Sequence, residues 1–96
     1  MKNKSTFKDL LLAFLDGASE GVSATGTLKI QGDQIIHFNT PIVERNCDRF
    51  LVNISRYSLV TGQFQKMVRN TIPAELQVVV KKVPVDYKGS LRDFLD

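Results

Sequence analysis

The hydrophobic period of this chain is helical at first and strand-like from about residue 27, and the strand-like segments then follow one another. That order restricts the fold classes open to it. Phe7, Leu10, Leu11, Phe14 and Leu15 recur at i, i+3, i+4, i+7 and i+8, one apolar stripe of an amphipathic helix spanning Ser5 to Asp16. Thr6 followed by Asp9 has the spacing of a capping box, and Gly17 suits a left-handed helix end. A helix this short is marginal alone, so its stripe must pack against something else.

The strand-like segments supply that surface. Thr27 to Gln31 alternates, with Leu28 and Ile30 on one face and Thr27, Lys29 and Gln31 on the other. Gly32-Asp33 supplies a turn, and Ile35 to Thr40 returns. A three-residue loop is expected, pairing Ile30 with Ile36 and Leu28 with Phe38; a two-residue loop would bring Ile35 and His37 to that face instead. Pro41, which has no backbone N–H, is expected to break the ladder. A second hairpin is read from Ile42–Arg45 and Arg49–Ser55 around Asn46-Cys47-Asp48. Its returning strand sets Phe50, Val52 and Ile54 against Leu51, Asn53 and Ser55.

A second helix is expected to start near Thr61, with Phe64, Met67 and Val68 inward and Gln63, Gln65, Lys66, Arg69 and Asn70 outward, and to stop at Pro73. Leu76 to Val83 is valine-rich and reads as a fifth strand ended by Pro84. Ser90 to Asp93 reads as a capped C-terminal helical turn carrying Leu91, Phe94 and Leu95. Strands grouped in this way predict an α+β fold. It has an N-terminal helix and an antiparallel sheet of about five strands, built from two consecutive hairpins plus a later strand. The second helix lies between strands four and five, and a short helix ends the chain. Residues 1–96 are read as one domain, and Gly17 to Gly26 as its most flexible segment.

Composition narrows the function classes. The longest apolar run, Leu10 to Leu15, falls far short of the roughly 18 residues a membrane span needs. Lys8 and Asp9 adjoin that run and Asp16 closes it, which argues against a cleavable signal; a cytoplasmic protein with no membrane partner is expected. Cys47 is the only cysteine and His37 the only histidine. No internal disulfide, metal site or cofactor site is therefore expected. Cys47 reads as a turn thiol and His37 as an ordinary strand residue. Glu44 and Asp48 interleave with Arg45 and Arg49, which reads as cross-strand ion pairing at a hairpin tip. No glycine pattern matches a phosphate-cradling loop, and no nucleophile has a base beside it, so no enzyme is expected.

Charge is the one asymmetry. Between Asp48 and Glu75 there is no acidic residue, but there are Arg49, Arg56, Lys66 and Arg69. With Gln63 and Asn70 on the same helix, these form the candidate contact set. A protein partner is the leading expectation, and a nucleic-acid-binding module using the basic helix face is the alternative. A homodimer through an exposed edge strand such as Leu76 to Val83 is a further expectation.

The run Asn39-Thr40-Pro41-Ile42-Val43-Glu44-Arg45, with Asn53, Tyr57, Ser58, Thr61 and Gln65 beyond it, resembles a family of small proteins of bacterial phages and other mobile elements. The family pattern is a T-P-I-A strand, an N-x-x-x-Y-S-x-T-T exit and a polar helix. The resemblance covers about Thr27 to Asn70; Val43 replaces its alanine, Val60 a threonine and Phe64 a common histidine. It implies a genetic setting rather than a chemistry. The expectation is a small non-enzymatic protein that binds a host or phage macromolecule. By analogy it could inhibit a host defence complex in the manner of an anti-CRISPR protein. The same residues have a physical reading, in which Tyr57 donates its hydroxyl to a backbone acceptor and Thr61 caps the helix, holding a strand-to-helix corner.

Overall fold

In the computed structural model, which describes residues 6–95, the first helix forms where its caps and stripe demand. Helix α1 is Phe7–Leu15. The Thr6 hydroxyl accepts from the Asp9 N–H at 3.0 Å and the Asp9 carboxylate accepts from the Thr6 N–H at 3.3 Å, so two otherwise orphaned donors are satisfied reciprocally. Gly17 follows the C-cap at φ +109°, a conformation that favours glycine. Leu10, Leu11 and Phe14 are buried.

Six strands follow, not five. Strand β1 (Glu20–Val22) lies inside the glycine-rich segment expected to be flexible, and pairs antiparallel with β2 (Leu28–Gln31). Small side chains serve this pairing rather than oppose it. A Cβ on Gly21 would stand 2.9 Å from Leu10 Cδ2, so the Leu10 side chain packs where a larger residue would have to displace it. Ser23 closes the hairpin, its Oγ accepting from the Leu28 N–H at 3.2 Å.

Strand β3 (Gln34–His37) pairs with β2 as Leu28↔His37 and Ile30↔Ile35, the register of a two-residue Gly32-Asp33 turn. The three-residue loop is thus corrected, and with it the burial: Ile35 and His37 are inside, while Phe38 is 56 % exposed. Gly32 at φ +65° is the reason. Glycine at the first central position fits the short hairpin turns whose twist matches that of the strands. The next turn is Phe38-Asn39, both at positive φ, and leads into β4 (Thr40–Asn46). Pro41 does not end the ladder as expected. It sits inside β4 opposite Ile36, at a shift between Ile35 and Ile36 that absorbs the missing N–H as a bulge.

Strand β5 (Arg49–Asn53) pairs with β4 across a turn of two residues, Cys47-Asp48, rather than three. Helix α2 (Leu59–Thr71) begins earlier than expected, because Ser58 and not Thr61 is its cap: Ser58 Oγ accepts from the Thr61 N–H at 3.3 Å. A single 3-10 turn, Ala74–Leu76, leads into β6 (Gln77–Val80). This strand runs parallel to β5, so the sheet is mixed and not antiparallel. The α2 crossover explains the sense, since it returns the chain to the end where β5 began. The strand order is β1-β2-β3-β4-β5-β6. The C-terminal helix is a 3-10 turn, Leu91–Phe94, capped by Ser90 as the sequence suggests.

The two faces of the sheet are covered differently. On one, α1 and α2 pack Leu11, Phe14, Phe64 and Val68 against Leu28, Ile35 and Val52. On the other, the segment after β6 builds a small cluster of Leu51, Val80, Val83 and Leu91. No described helix is long and apolar enough to cross a membrane.

Candidate functional site

Five of the residues that carry the motif resemblance, Asn53, Tyr57, Ser58, Thr61 and Gln65, stand around one corner, where β5 turns into α2. Asn53 is fully buried, and its amide donates at 2.9 Å to the Pro41 carbonyl and at 2.9 Å to the Tyr57 hydroxyl. Its Oδ1 accepts from the Ser55 N–H at 2.9 Å. The Tyr57 hydroxyl in turn donates a hydrogen bond to the Val83 carbonyl at 2.6 Å. Gln65, expected on the outer face, is buried instead and spends both amide hydrogens on the Asn53 and Ser55 carbonyls, at 2.7 and 2.8 Å. Buried polar groups are costly unless bonded, and here the Asn53 and Gln65 amides satisfy the carbonyls of Pro41, Asn53 and Ser55. Asn53, Tyr57 and Gln65 thus act as one bracket joining β4, β5, α2 and the chain after β6, while Ser58 and Thr61 bond to each other at the start of α2.

Thr61 does not cap α2. Its hydroxyl lies 2.8 Å from His37 Nδ1, which ties the helix to β3. His37 is surrounded by Phe7, Phe38 and Phe64, with ring centroids 4.5–6.5 Å away. Its Nε2 is buried without a hydrogen-bond partner among the described residues. Desolvation by burial lowers its pKa below the ordinary histidine value.

With the inner face of α2 committed to structure, the outer face is what remains for contact. Leu59, Gln63, Lys66 and Asn70 follow one another at helical spacing and are exposed, Leu59 at 79 %. Gln63 and Lys66, with Arg56 from the preceding loop, line an open groove of about 460 Å³. Tyr57, Leu59 and Gly62 supply apolar and small surface to the same groove. No acidic residue stands in the first turn of α2, so nothing offsets the positive end of the helix dipole there.

The six candidate residues do not form one site. Arg56, Gln63 and Lys66 share the groove. Arg69 lies farther along the helix, its Nε donating to Gln77 Oε1 at 3.0 Å, while the Gln77 amide returns a bond to the Arg69 carbonyl at 2.9 Å. Asn70 is exposed near that end. Arg49 opens β5 and Arg56 follows its end, so the strand, about 13 Å over four steps, lies between them.

Two charged residues read as a hairpin-tip ion pair have other work. Arg45 reaches back to α1, donating to the Phe14 carbonyl at 2.6 Å and the Ala18 carbonyl at 2.5 Å, with its guanidinium 3.9 Å over the Phe14 ring. Glu44 is buried on the other face of the sheet. It accepts from the Leu91 N–H at 2.7 Å, the Ser90 hydroxyl at 2.5 Å and the Gln34 amide at 2.9 Å, with Arg92 Nε at 3.5 Å. The sequence signal for this was thin: a carboxylate that directly follows the mostly apolar run Thr40-Pro41-Ile42-Val43. Beside it, Lys29, Gln31, Gln34, Asn39 and Lys88 line a polar trough of about 540 Å³. Among the described residues there is no group of three His, Cys, Asp or Glu side chains that could hold a metal ion.

Compared with known proteins, the chain matches no family model, no curated protein and no solved structure.

Proposed function

We propose that this protein acts without catalysis, by holding an acidic and partly apolar segment of a partner protein against the outer face of α2. One observation carries the reading: Arg56 and Lys66 flank a groove that also presents Leu59 and Tyr57, in a stretch with no acidic residue from Arg49 to Ala74. Cations beside exposed apolar surface suit a peptide with carboxylates next to a hydrophobic anchor. Nucleic acid is the less suited ligand, because Phe50 and Phe64 pack into the core and Tyr57, the aromatic at the groove, is half-buried with its hydroxyl committed to the Val83 carbonyl, which leaves little surface for base stacking. The motif resemblance supports a phage or mobile-element setting, and inhibition of a cytoplasmic host system is the form of action proposed with it.

Affinity purification from the native host, with mass spectrometry of what co-purifies, tests this reading. The expected result is a partner recovered with the wild-type chain, lost with Arg56→Glu/Lys66→Glu and retained with Lys29→Glu, which alters charge on the opposite face. Labelled DNA and RNA oligonucleotides at low salt form the second arm. Binding that weakens with added salt and disappears in the double variant would replace the protein reading with the nucleic-acid one.

A further inference from the structure

Among the described residues, the large hydrophobic side chains that are more than half exposed are Val22, Phe38, Leu59, Val60 and Val85. They do not scatter. All stand at one end of the sheet, where β2 and β4 begin and β1, β3, β5 and β6 end. Val22 is the last residue of β1 and pairs with Lys29 near the start of β2. Phe38 occupies the turn from β3 to β4, its N–H donating to the Thr27 carbonyl at 2.9 Å. Its φ of +49° is a costly conformation for so large a residue, and the ring is nonetheless presented to solvent. Leu59 and Val60 open α2, and the Thr61 hydroxyl that follows lies 2.8 Å from Nδ1 of His37, the neighbour of Phe38. Val85 precedes Asp86, whose N–H donates at 2.8 Å to Thr40 Oγ1 just beyond the same turn.

Charge is divided along the same direction. Arg56 follows β5 and Lys81 and Lys82 follow β6 at this end, and Lys88 comes three residues after Val85. Lys8 lies in the first turn of α1, where the Phe7 ring stands 5.5 Å from the His37 ring. All five cations are exposed, and none is ion-paired among the described residues. Asp9 and Asp86 are the acids beside them, and Asp9 is committed to the Thr6 N–H. Asp16, Glu20, Asp33, Asp48 and Glu75 lie at the other end, with Arg45, Arg49 and Arg69 among them.

We propose that the basic end docks on an anionic lipid surface, with Phe38, Val60 and Val85 in the interfacial layer and Lys81, Lys82 and Lys88 against the headgroups. The arrangement selects the occupant. The apolar groups stand on separate segments around one end rather than along a single groove, so a folded partner would need a socket for each, whereas lipid flows around them. Nucleic acid would engage the cations and leave the aliphatic side chains in water. Apolar tips among lysines combine buried apolar area with attraction to anionic lipid, which together hold a protein at a bilayer surface. Such a contact needs no spanning helix, and it departs from the sequence-based expectation of no membrane partner. It goes beyond the partner proposed for α2. Leu59 and Arg56 also border that groove, but Phe38, Val85, Lys81 and Lys82 do not, so variants of these four test the lipid contact separately.

Co-sedimentation of the full chain with phosphatidylcholine vesicles, with and without phosphatidylserine, reads the contact. Binding to the phosphatidylserine-containing vesicles is expected, and it should weaken with added salt. Phe38→Ser/Val85→Ser and Lys81→Glu/Lys82→Glu should each lower the partition coefficient roughly tenfold or more, with unchanged circular dichroism. Leu12→Ser, at an exposed position farther along α1, should leave it within about twofold. The lysine pair decides the matter where Phe38→Ser/Val85→Ser fails to fold. No binding at low salt overturns the proposal, as does binding indifferent to phosphatidylserine or to both double variants, or an equal loss in Leu12→Ser. Capture of a labelled DNA or RNA oligonucleotide with the vesicles left unbound also overturns it, and assigns the cations to nucleic acid.

Discussion

The two faces of the sheet are sealed by different physics. On the helix side, α1 and α2 bury large side chains in one continuous cluster, and the polar contacts there (Arg45 on α1, Gln65 and Thr61 on α2) orient helices that already have an apolar reason to dock. On the other side, residues 83–95 form no long element. Their apolar contribution is small, and Glu44, by accepting two bonds from Ser90 and Leu91, holds the final turn in place. Burial alone ranks these faces alike, since Phe14 and Leu91 are both fully buried. What differs is whether packing or a few charge-assisted bonds keeps each layer attached.

The strongest way to break the helix side is Phe14→Ala. It removes a ring lying beneath the Arg45 guanidinium and beside Phe50, and should cost about 3–5 kcal/mol of global stability, read as a lower denaturation midpoint. On the other side, Glu44→Ala leaves the Leu91 N–H and Ser90 hydroxyl without their acceptor and should cost about 1.5–3 kcal/mol. Its signature should be local: amide exchange rises at residues 90–95 while α1 and α2 keep their protection. Equal loosening of both layers would show that the faces form one cooperative unit after all.

The smallest effect probes the polar seam within the helix side. His37 is buried with its pKa lowered, so the unfolded chain binds its proton more readily than the folded one. Stability is full above the ordinary histidine pKa of about 6.5 and falls as the pH drops from there toward the folded value. Denaturation at about pH 7.5 and about pH 5.5 measures the loss. His37→Gln should reduce the slope, as His37 is the only histidine in the chain. An unchanged slope would assign the pH dependence to carboxylates instead.

Much of the local structure was legible in the sequence. The stripe of α1, its Thr6–Asp9 box and the Gly17 stop all formed, as did the Leu28/Ile30 inner face and the Ser90 cap. Tyr57 donates to a backbone carbonyl as read, although Ser58 rather than Thr61 caps α2. The candidate surface was partly legible as well. Gln63 and Lys66 are exposed where helical spacing puts them, but nothing in the spacing shows that Gln65 turns inward to the carbonyls at the end of β5.

Features that depend on neighbours two to four residues away could be read from the chain alone: helix stripes, caps, and which segments alternate. Tertiary structure decided which face of β3 is inside, the parallel sense of β6, and the partners of Glu44 and Asn53. The physical reason lies in the period of a strand. A turn shorter by one residue exchanges Ile36 and Phe38 for Ile35 and His37 at no cost to the local pattern. A buried polar group likewise finds its acceptor wherever the fold brings one, across 12 residues for Asn53 and 47 for Glu44. Such separations leave no periodic trace in the chain.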